Sequence, residues 1–321
     1  MFSLKKEIYH LLNNNDFEIL ESKYNKIFNG LIGYGAIIDG NLEEISLLRY
    51  LNQKKKFANN VLNLVIFLTK NCNFNCSYCF EVKEDRNITE SVQKGILNLI
   101  KNRIKYLDSI HIGWFGGEPL LKSDVIARLG EKIKNICKIN NVEFTATINT
   151  NGYFLNLENF EMLLSTNVKV IEVTIDGPRK FHNKTRPLIS GKGTYDKIID
   201  NLLEIRRKYN IDNLSSDFSL FIRVNISKDN KEILEKWIKN DLPKELQSLV
   251  QIYFAPVTPG GEHGSNAENL LFQKEKSVNT FDTNDYFSSI FDVTESAKDR
   301  GFIIRNTKAE LSKPSYITCD A

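Results

Sequence analysis

The sequence predicts an α/β fold in which six parallel strands, each followed by a helix, form a partial (β/α)6, TIM-like barrel that stays open. From residue 62 onward, short apolar runs alternate with longer amphipathic stretches. The run 62–69, LNLVIFLT, is typical of a strand buried on both faces. Because successive strand–helix units connect parallel strands by crossovers of one hand, six such units predict one parallel sheet.

The elements follow one another regularly along this part of the chain. The predicted strands are 62–69, 109–116, 142–150, 168–176, 217–226 and 249–257. The predicted helices are 89–106, 121–138, 157–165, 194–208, 229–239 and 283–299. Thr194 is expected to cap the helix that follows it.

Two flanking regions differ from this pattern and predict three domains. Residues 1–60 predict a small N-terminal α+β module with an Asp39-Gly40 turn and a helix from about residue 42. Residues 61–258 make up the barrel core. Residues 259–321 begin with a loop rich in Gly, Ser and Asn, and are expected to form a truncated C-terminal extension with a helix and a short extended piece.

Composition narrows the class of protein. The chain has 321 residues, of which 41% are hydrophobic and 26% charged, as is usual for a globular protein. Its net charge of +3 is too small to indicate nucleic-acid binding. No run approaches the ~18 apolar residues of a membrane span, and the N-terminus lacks a secretory signal. We therefore expect a cytoplasmic protein that binds neither nucleic acid nor membrane.

Three of the five cysteines lie within eight positions, immediately after the first predicted strand. Cys72, Cys76 and Cys79 have the spacing C-x3-C-x2-C. An odd number of cysteines, crowded in this way, argues against a disulfide framework and favours metal ligands. Ligands of a parallel α/β sheet bind at the carboxyl ends of its strands, and this loop lies at such an end.

Three thiolates can hold three irons of a [4Fe–4S] cluster and leave the fourth iron open to another ligand. A zinc site completed by a further Cys or His is the alternative, although none of the four histidines lies at a standard short spacing from Cys79. Inert buried cysteines are a second alternative. Cys137, within the helix 121–138, is expected to be such a core residue.

The stretch CNFNCSYCFE resembles the signature of the radical S-adenosylmethionine (SAM) superfamily, in which an aromatic residue precedes the third cysteine. The resemblance implies that SAM chelates the open iron. It also implies that the reduced cluster cleaves SAM to methionine and a 5′-deoxyadenosyl radical, which abstracts hydrogen from the substrate. WFGGEPLL at 114–121 resembles the GGE motif of this family. Gly116 and Gly117 are expected to let backbone approach the ligand, and Glu118 to pair with the methionine ammonium.

Two further segments carry the resemblance. TINTNGY at 147–153 places Asn149 where relatives reach SAM, whereas Asn151-Gly152 by itself indicates a turn. VTIDGPRKFHNKTRP at 173–187 resembles the branch of the family that modifies peptides and proteins. It implies SAM contacts for Thr174 and for Arg186, the latter near the SAM carboxylate.

Other polar residues are weaker candidates. Arg223 and Asn225, two apart on a strand, should point the same way, either into the barrel or as a packed pair. Tyr253 is expected to pack in the core rather than contact adenine. His182 is expected to be structural rather than a proton-transfer group.

The resemblance covers residues 62–257 and extends to partners. Relatives continue into a cysteine-rich domain called SPASM, and ITCDA at 317–321 resembles its opening, which implies that Cys319 begins an auxiliary [4Fe–4S] site in a longer protein. The N-terminal module resembles one that binds leader peptides, although a structural cap is equally compatible. A flavodoxin or ferredoxin is the implied reductant.

The predicted function is that of a radical SAM maturase, an oxidoreductase-type enzyme that abstracts hydrogen from a peptide or protein, with thioether crosslinking as its reaction. An anaerobic sulfatase-maturating enzyme, which oxidises Cys or Ser to formylglycine, is one alternative. A truncated, non-catalytic binding module is the other.

Overall fold

A computed structural model describes residues 11, 14, 16–33, 45–46, 49–50, 53, 60–210, 214–226, 230–256 and 283–304. The turn at Asp39-Gly40 and Cys319 lie outside these residues. The contacts group residues 59–305 into one compact unit. Helix α1, Phe17–Gly33, lies in a separate unit, where Leu11, Leu20 and Phe28 form a small apolar cluster. No helix in the described ranges is long and apolar enough to cross a bilayer.

The described strands form one parallel, unclosed sheet of seven in the order of the sequence, from β1 to β7. The strands are β1 Val61–Phe67, β2 Ser109–Phe115, β3 Glu143–Thr150, β4 Val168–Thr174, β5 Ser219–Ile226, β6 Gln251–Pro256 and β7 Ile303–Ile304. This confirms the predicted α/β class and open parallel sheet. The six predicted strands are all present, and the short extended piece near residue 303 adds a seventh by pairing with β6.

Helices connect the strands, and most were predicted. They are α2 Glu90–Arg103, α3 Ser123–Ile139, α4 Leu157–Ser165, α5 Arg179–Thr185, α6 Tyr195–Lys208, α7 Lys231–Lys236 and α8 Thr283–Asp299. The sequence did not predict α5, because RKFHNKT has no apolar periodicity. Two helices start at side chains that accept a backbone N–H: Thr89 caps α2 and Asn156 caps α4.

Thr194 is the N-cap residue of α6, as predicted, but its side chain makes no capping hydrogen bond. Its hydroxyl donates instead to the carbonyl oxygen of Arg186, at 2.7 Å. Asn183 Oδ1 accepts the backbone N–H groups of Thr194 and Tyr195, and so satisfies the donors at the start of the helix.

The core lies between the sheet and its covering helices. Helix α3 shows why, since its buried residues recur at helical spacing along one face: Val125, Ile126, Leu129, Gly130, Ile133 and Cys137. Cys137 is fully buried, as predicted. Helix α8 and strand β7 belong to the same compact unit as the rest of the sheet. The functions assigned to residues 1–60 and 259–321 stay predictions.

Candidate functional site

The three clustered cysteines lie in the loop that connects β1 to α2, at the carboxyl end of the first strand. Cys76 is buried, and Cys72 and Cys79 are half-buried free thiols. All three line a cavity of about 530 Å³. The same wall contains five further residues that the sequence singled out: Gly116, Gly117, Asn149, Thr174 and Arg186. Four segments distant in sequence therefore meet where the motifs predicted.

The side chains that the site offers as ligands indicate which metal group it could hold. Within the described residues, no three His, Cys, Asp or Glu side chains converge closely enough to hold one metal ion. A [4Fe–4S] cluster binds each cysteine through a different iron. The three free thiols of this loop are a donor set for three of its irons, which leaves the fourth iron open to another ligand.

The thiols of Cys72 and Cys76 are protonated in the absence of metal. Burial raises the pKa of Cys72 to about 12, and burial also raises the pKa of Cys76. Because the thiolate is the metal ligand, loading of the site releases protons.

The GGE segment holds the start of the cysteine loop. Gly116 has φ +132°, and a Cβ atom there would lie 2.3 Å from the carbonyl oxygen of Thr69. A Cβ on Gly117 would lie 2.5 Å from the carbonyl oxygen of Asn71. The N–H groups of Gly117 and Glu118 donate to these same two carbonyls, each at 2.9 Å. We expected the glycines to admit a ligand; they are required first for this backbone-to-backbone contact.

Glu118 lies behind the cavity wall and is fully buried. Its Oε1 accepts hydrogen bonds from Leu120 N at 2.9 Å and Thr150 Oγ1 at 2.7 Å, and its Oε2 accepts one from Asn151 N at 2.7 Å. Burial raises the pKa of Glu118, while these three donors lower it. The carboxylate thus joins the end of β2 to the end of β3. The expected pairing of Glu118 with the ammonium group of SAM stays a prediction.

Tyr78, the aromatic residue before the third cysteine, is the centre of a buried network. Its hydroxyl donates to Asp176 Oδ2 at 2.6 Å. The Tyr78 hydroxyl oxygen also accepts hydrogen bonds from Arg186 Nη1 at 2.7 Å and from Asn225 Nδ2 at 2.9 Å. Thr185 Oγ1 adds a 2.8 Å bond to Asp176 Oδ2. The network anchors the cysteine loop to β4, α5 and β5.

Arg186 is 7% exposed, and its guanidinium lies over the rings of Phe74 and Tyr78. Burial disfavours the charge, but the acidic groups around it, among them Asp176, and its hydrogen bond to Tyr78 hold the pKa of Arg186 well above its usual value. Its Nε is buried and has no hydrogen-bond partner among the described residues. Asn73 Nδ2, beside Cys72, is a second such donor. Two unpaired N–H donors next to the thiols fit a site for an anionic cluster and a carboxylate ligand.

His182 is structural, as the sequence predicted. It is fully buried; its Nδ1 accepts from Asp176 N at 3.2 Å, and its Nε2 lies 3.1 Å from Thr194 Oγ1. Because the Thr194 hydroxyl donates its proton to Arg186 O, it must accept from Nε2–H, which assigns the neutral Nε2–H tautomer. Burial and Arg186 hold the pKa of His182 well below its usual value.

Polar residues continue the cavity along the inner face of β4, β5 and β6. Arg223 and Asn225 both line it, as expected for residues two apart, and Arg223 Nε donates to Asn225 Oδ1 at 3.0 Å. Glu172 Oε2 accepts the Tyr253 hydroxyl at 2.6 Å. Glu172 Oε1 lies 3.5 Å from both Arg223 Nη1 and Asn149 Nδ2. Tyr253 is therefore a polar member of this face rather than plain core.

Sequence reasoning missed Glu172, Asp176 and Asn151 as members of the site. Asp176 and Asn151 follow the ends of β4 and β3, so their position at the carboxyl edge of a parallel sheet was an available signal. Asn151-Gly152 was assigned to a turn, and Gly152 does have φ +80°. The same Asn151 nevertheless lines the cavity.

Comparison with known proteins agrees with this geometry. The radical SAM superfamily profile matches residues 66–238. The radical SAM cyclopropyl synthase TigE of Paramaledivibacter caminithermalis is 24% identical over 330 residues, which is 93% of this chain and 63% of that protein. A cysteine-type anaerobic sulfatase-maturating enzyme of Clostridium perfringens is 27% identical over 154 residues, 44% of this chain and 39% of that protein.

A solved structure shows the same fold. The structure of anSMEcpe with bound AdoMet and the Cp18Cys peptide has a TM-score of 0.57 at 18% identity, over 76% of this chain and 63% of that one. The chain thus spans less than two thirds of the length of the proteins that it matches. Because the profile covers more than half of its residues, the chain belongs to the radical SAM superfamily, whose members use a [4Fe–4S] cluster and S-adenosylmethionine.

Proposed function

We propose that this chain contains the catalytic core of a radical SAM maturase that abstracts hydrogen from a side chain or Cα of a peptide or protein. Cys72, Cys76 and Cys79 would hold the [4Fe–4S] cluster. When bound, the reduced cluster and SAM supply the radical that removes the hydrogen atom. The residues of this chain bind and orient both partners in one cavity.

The observation that carries the proposal is the position of Arg186. It lines the same cavity as the three thiols, and its Nε is a buried donor without a partner among the described residues. A carboxylate such as that of SAM would satisfy this donor with a charge-assisted hydrogen bond. Thr174 and Asn149 line the same wall and are proposed as further SAM contacts. Gly116 and Gly117 contribute backbone to that wall, whereas Glu118 supports it from behind.

A peptide substrate is supported by the rest of the cavity. Beyond Arg186 its wall carries Glu172, Arg223 and Asn225, which offer both donors and acceptors to a polar backbone. The anSMEcpe structure, similar in fold, contains a bound peptide. Within this class we propose thioether crosslinking of a ribosomally made peptide. The module at 1–60 would bind a leader segment, and Cys319 would begin an auxiliary cluster in a longer protein.

Formylglycine formation on a client sulfatase is the second candidate, and the similarity to a sulfatase-maturating enzyme favours it. That similarity covers 44% of the chain, whereas the similarity to the cyclopropyl synthase covers 93% and so includes most of the N-terminal region. The broader match is therefore to a radical SAM enzyme other than a sulfatase-maturating one, which favours a reaction outside formylglycine formation. A flavodoxin or ferredoxin in a reducing cytoplasm would supply the electron.

Anaerobic reconstitution with iron and sulfide tests the cluster. We expect about four irons per chain, and release of 5′-deoxyadenosine from SAM under dithionite. Replacing Cys72, Cys76 or Cys79 by Ala should abolish both. Cys137→Ala is the matched control, because Cys137 is buried in α3 away from the cavity wall, and it should keep both. Equal iron content in all four variants and the parent would contradict the proposal.

Mass spectrometry of candidate peptides separates the reactions. A crosslink removes two hydrogen atoms and leaves the peptide thiol unreactive towards alkylation. Formylglycine instead yields an aldehyde that a hydrazide probe captures. SAM cleavage without any change in either class of substrate would point to the need for a longer chain, whereas a loaded cluster that does not cleave SAM would support the non-catalytic module.

A further inference from the structure

Asn151 connects the GGE carboxylate to a cysteine of the loop. It is the first residue after β3, is 6% exposed and lines the cavity. Its backbone N–H donates to Glu118 Oε2 at 2.7 Å. Its side-chain Nδ2 donates to Asn73 Oδ1 at 2.8 Å and to Cys72 Sγ at 3.8 Å. The side chain is thus fixed by neighbours on both sides, with its amide hydrogens directed at the cysteine loop.

The turn alone does not require an asparagine here. Asn151 Oδ1 accepts the N–H of Tyr153 at 3.0 Å, a bond that aspartate would make equally well. The positive φ of the turn belongs to Gly152. Only the two contacts of Nδ2 need an amide nitrogen, and one of them ends on Cys72. The need for an N–H donor on the side chain therefore explains an asparagine at position 151, and the turn does not.

Cys72 also accepts a hydrogen bond from Phe74 N at 3.4 Å. Two N–H donors thus point at one sulfur atom. Hydrogen bonds to ligand sulfurs favour the more negatively charged state of an iron–sulfur cluster, and so raise its reduction potential.

Resting on the proposed function, which places a [4Fe–4S] cluster on Cys72, Cys76 and Cys79, we propose that Asn151 is a positioning residue that raises the reduction potential of this cluster. It does so through its N–H···S bond to Cys72. Glu118 holds the Asn151 backbone in place for that bond. The GGE glutamate thereby acts on the cluster through Asn151.

Redox titration of the reconstituted chain, followed by electron paramagnetic resonance without substrate, tests the inference. Asn151→Leu removes the donor and adds no charge. We expect its equilibrium constant for one-electron reduction to fall by up to about tenfold, a shift of ~59 mV to more negative potential. Asn151→Asp keeps the acceptor for Tyr153 N but turns an oxygen towards Cys72, and should shift the potential further. Resonance Raman should show a changed Fe–S(Cys) stretching frequency in both variants.

Asn156→Asp is the control, because it adds the same charge to the same loop region while preserving an oxygen that caps α4. Its potential should equal that of the parent. A fully loaded Asn151→Leu cluster with the parent's potential and Raman spectrum would overturn the inference and leave the proposed function intact. A parent chain that binds no cluster through the three cysteines would overturn both. If Asn151→Leu does not load iron, Asn151→Ser is titrated in its place, because serine keeps an acceptor for Tyr153 N. A loaded Asn151→Ser cluster with the parent's potential and Raman spectrum would overturn the inference.

Discussion

The hydroxyl of Tyr78 donates a 2.6 Å hydrogen bond to Oδ2 of Asp176, and this bond ties the cysteine loop to the residue that follows β4 by two positions. Arg186 and Asn225 donate to the same hydroxyl oxygen. A single phenol therefore uses its donor and both acceptor positions within a buried network. The aromatic residue of the cysteine motif has a polar function in this chain that phenylalanine could not perform.

Tyr78→Phe should destabilise the fold by roughly 1–3 kcal/mol, because it removes the acceptor of Arg186 Nη1 and one of the two acceptors of Asn225 Nδ2 inside a buried network. Chemical denaturation measures the loss. Tyr106→Phe is the control, since Tyr106 is 63% exposed, and it should stay within about 0.5 kcal/mol of the parent. Equal stability of Tyr78→Phe and the parent would show that the network contributes nothing.

Gly116→Ala should destabilise the protein and disturb the cysteine loop. The new methyl group would lie 2.3 Å from Thr69 O, and alanine is strained at φ +132°. Gly95→Ala, in helix α2 with no atom within 4 Å of its added Cβ, should instead stabilise by about 0.5–1 kcal/mol. Thermal unfolding of the two variants should therefore move in opposite directions. A Gly116→Ala variant as stable as the parent would contradict the close contact.

Arg186→Lys should weaken SAM binding about tenfold or more. Lysine keeps the charge but lacks Nε and the planar fork that pairs with a carboxylate. Calorimetric titration of the reconstituted protein measures this, with iron content as the check on loading. Arg128→Lys, at an exposed ion pair with Asp124, is the matched control and should bind SAM as the parent does. Unchanged affinity in Arg186→Lys would remove this residue from the SAM site.

Stability should decrease as the pH falls below about 6.5, and His182 should contribute to that slope. Burial, with Arg186, holds its pKa well below 6.5 in the folded protein, so His182 stays neutral there. In the unfolded chain it takes up a proton near pH 6.5. The unfolded state then binds more protons, which lowers the free energy of unfolding by up to about 1.4 kcal/mol per pH unit.

Denaturation of His182→Gln between pH 7.5 and 5.5 checks this expectation. The variant should be less stable at pH 7.5 but show a shallower loss on acidification. His111→Gln is the comparison, because His111 is only half-buried and its pKa is lowered less strongly by burial. An identical slope for His182→Gln and the parent would show that the histidine is not kept neutral by the fold.

The strands and most helices were predictable because apolar runs and helical periodicity reflect burial directly. Helix α4 was predicted with the residues it has, 157–165, and every strand of the core was located within two residues at each end. Helix α5 was missed because its place depends on buried polar contacts, such as His182 to Thr194, which leave no apolar pattern.

The sequence predicted the site residues whose role requires one particular amino-acid type. It predicted less well the residues whose role depends on the orientation of a side chain in the fold. The sequence pointed to the loop of three cysteines and to Arg186, and these share a cavity. It could not show on which side of the wall the Glu118 carboxylate lies, because the rotation of one side chain between β2 and β3 determines that. It also assigned Asn151 to a turn, since its contact with Cys72 spans 79 positions of sequence.

The hydrogen bond between Asn225 and Tyr78 spans 147 positions. At a synthesis rate of ~5–20 residues per second, about 7 to 30 s pass on the ribosome before Tyr78 can meet this partner. During that interval the loop that carries the three thiols lacks its hydrogen bond to β5. Metal loading that follows the completion of β5 would therefore find the three sulfurs already in their native positions, whereas earlier contact with iron or oxidants would find them unprotected.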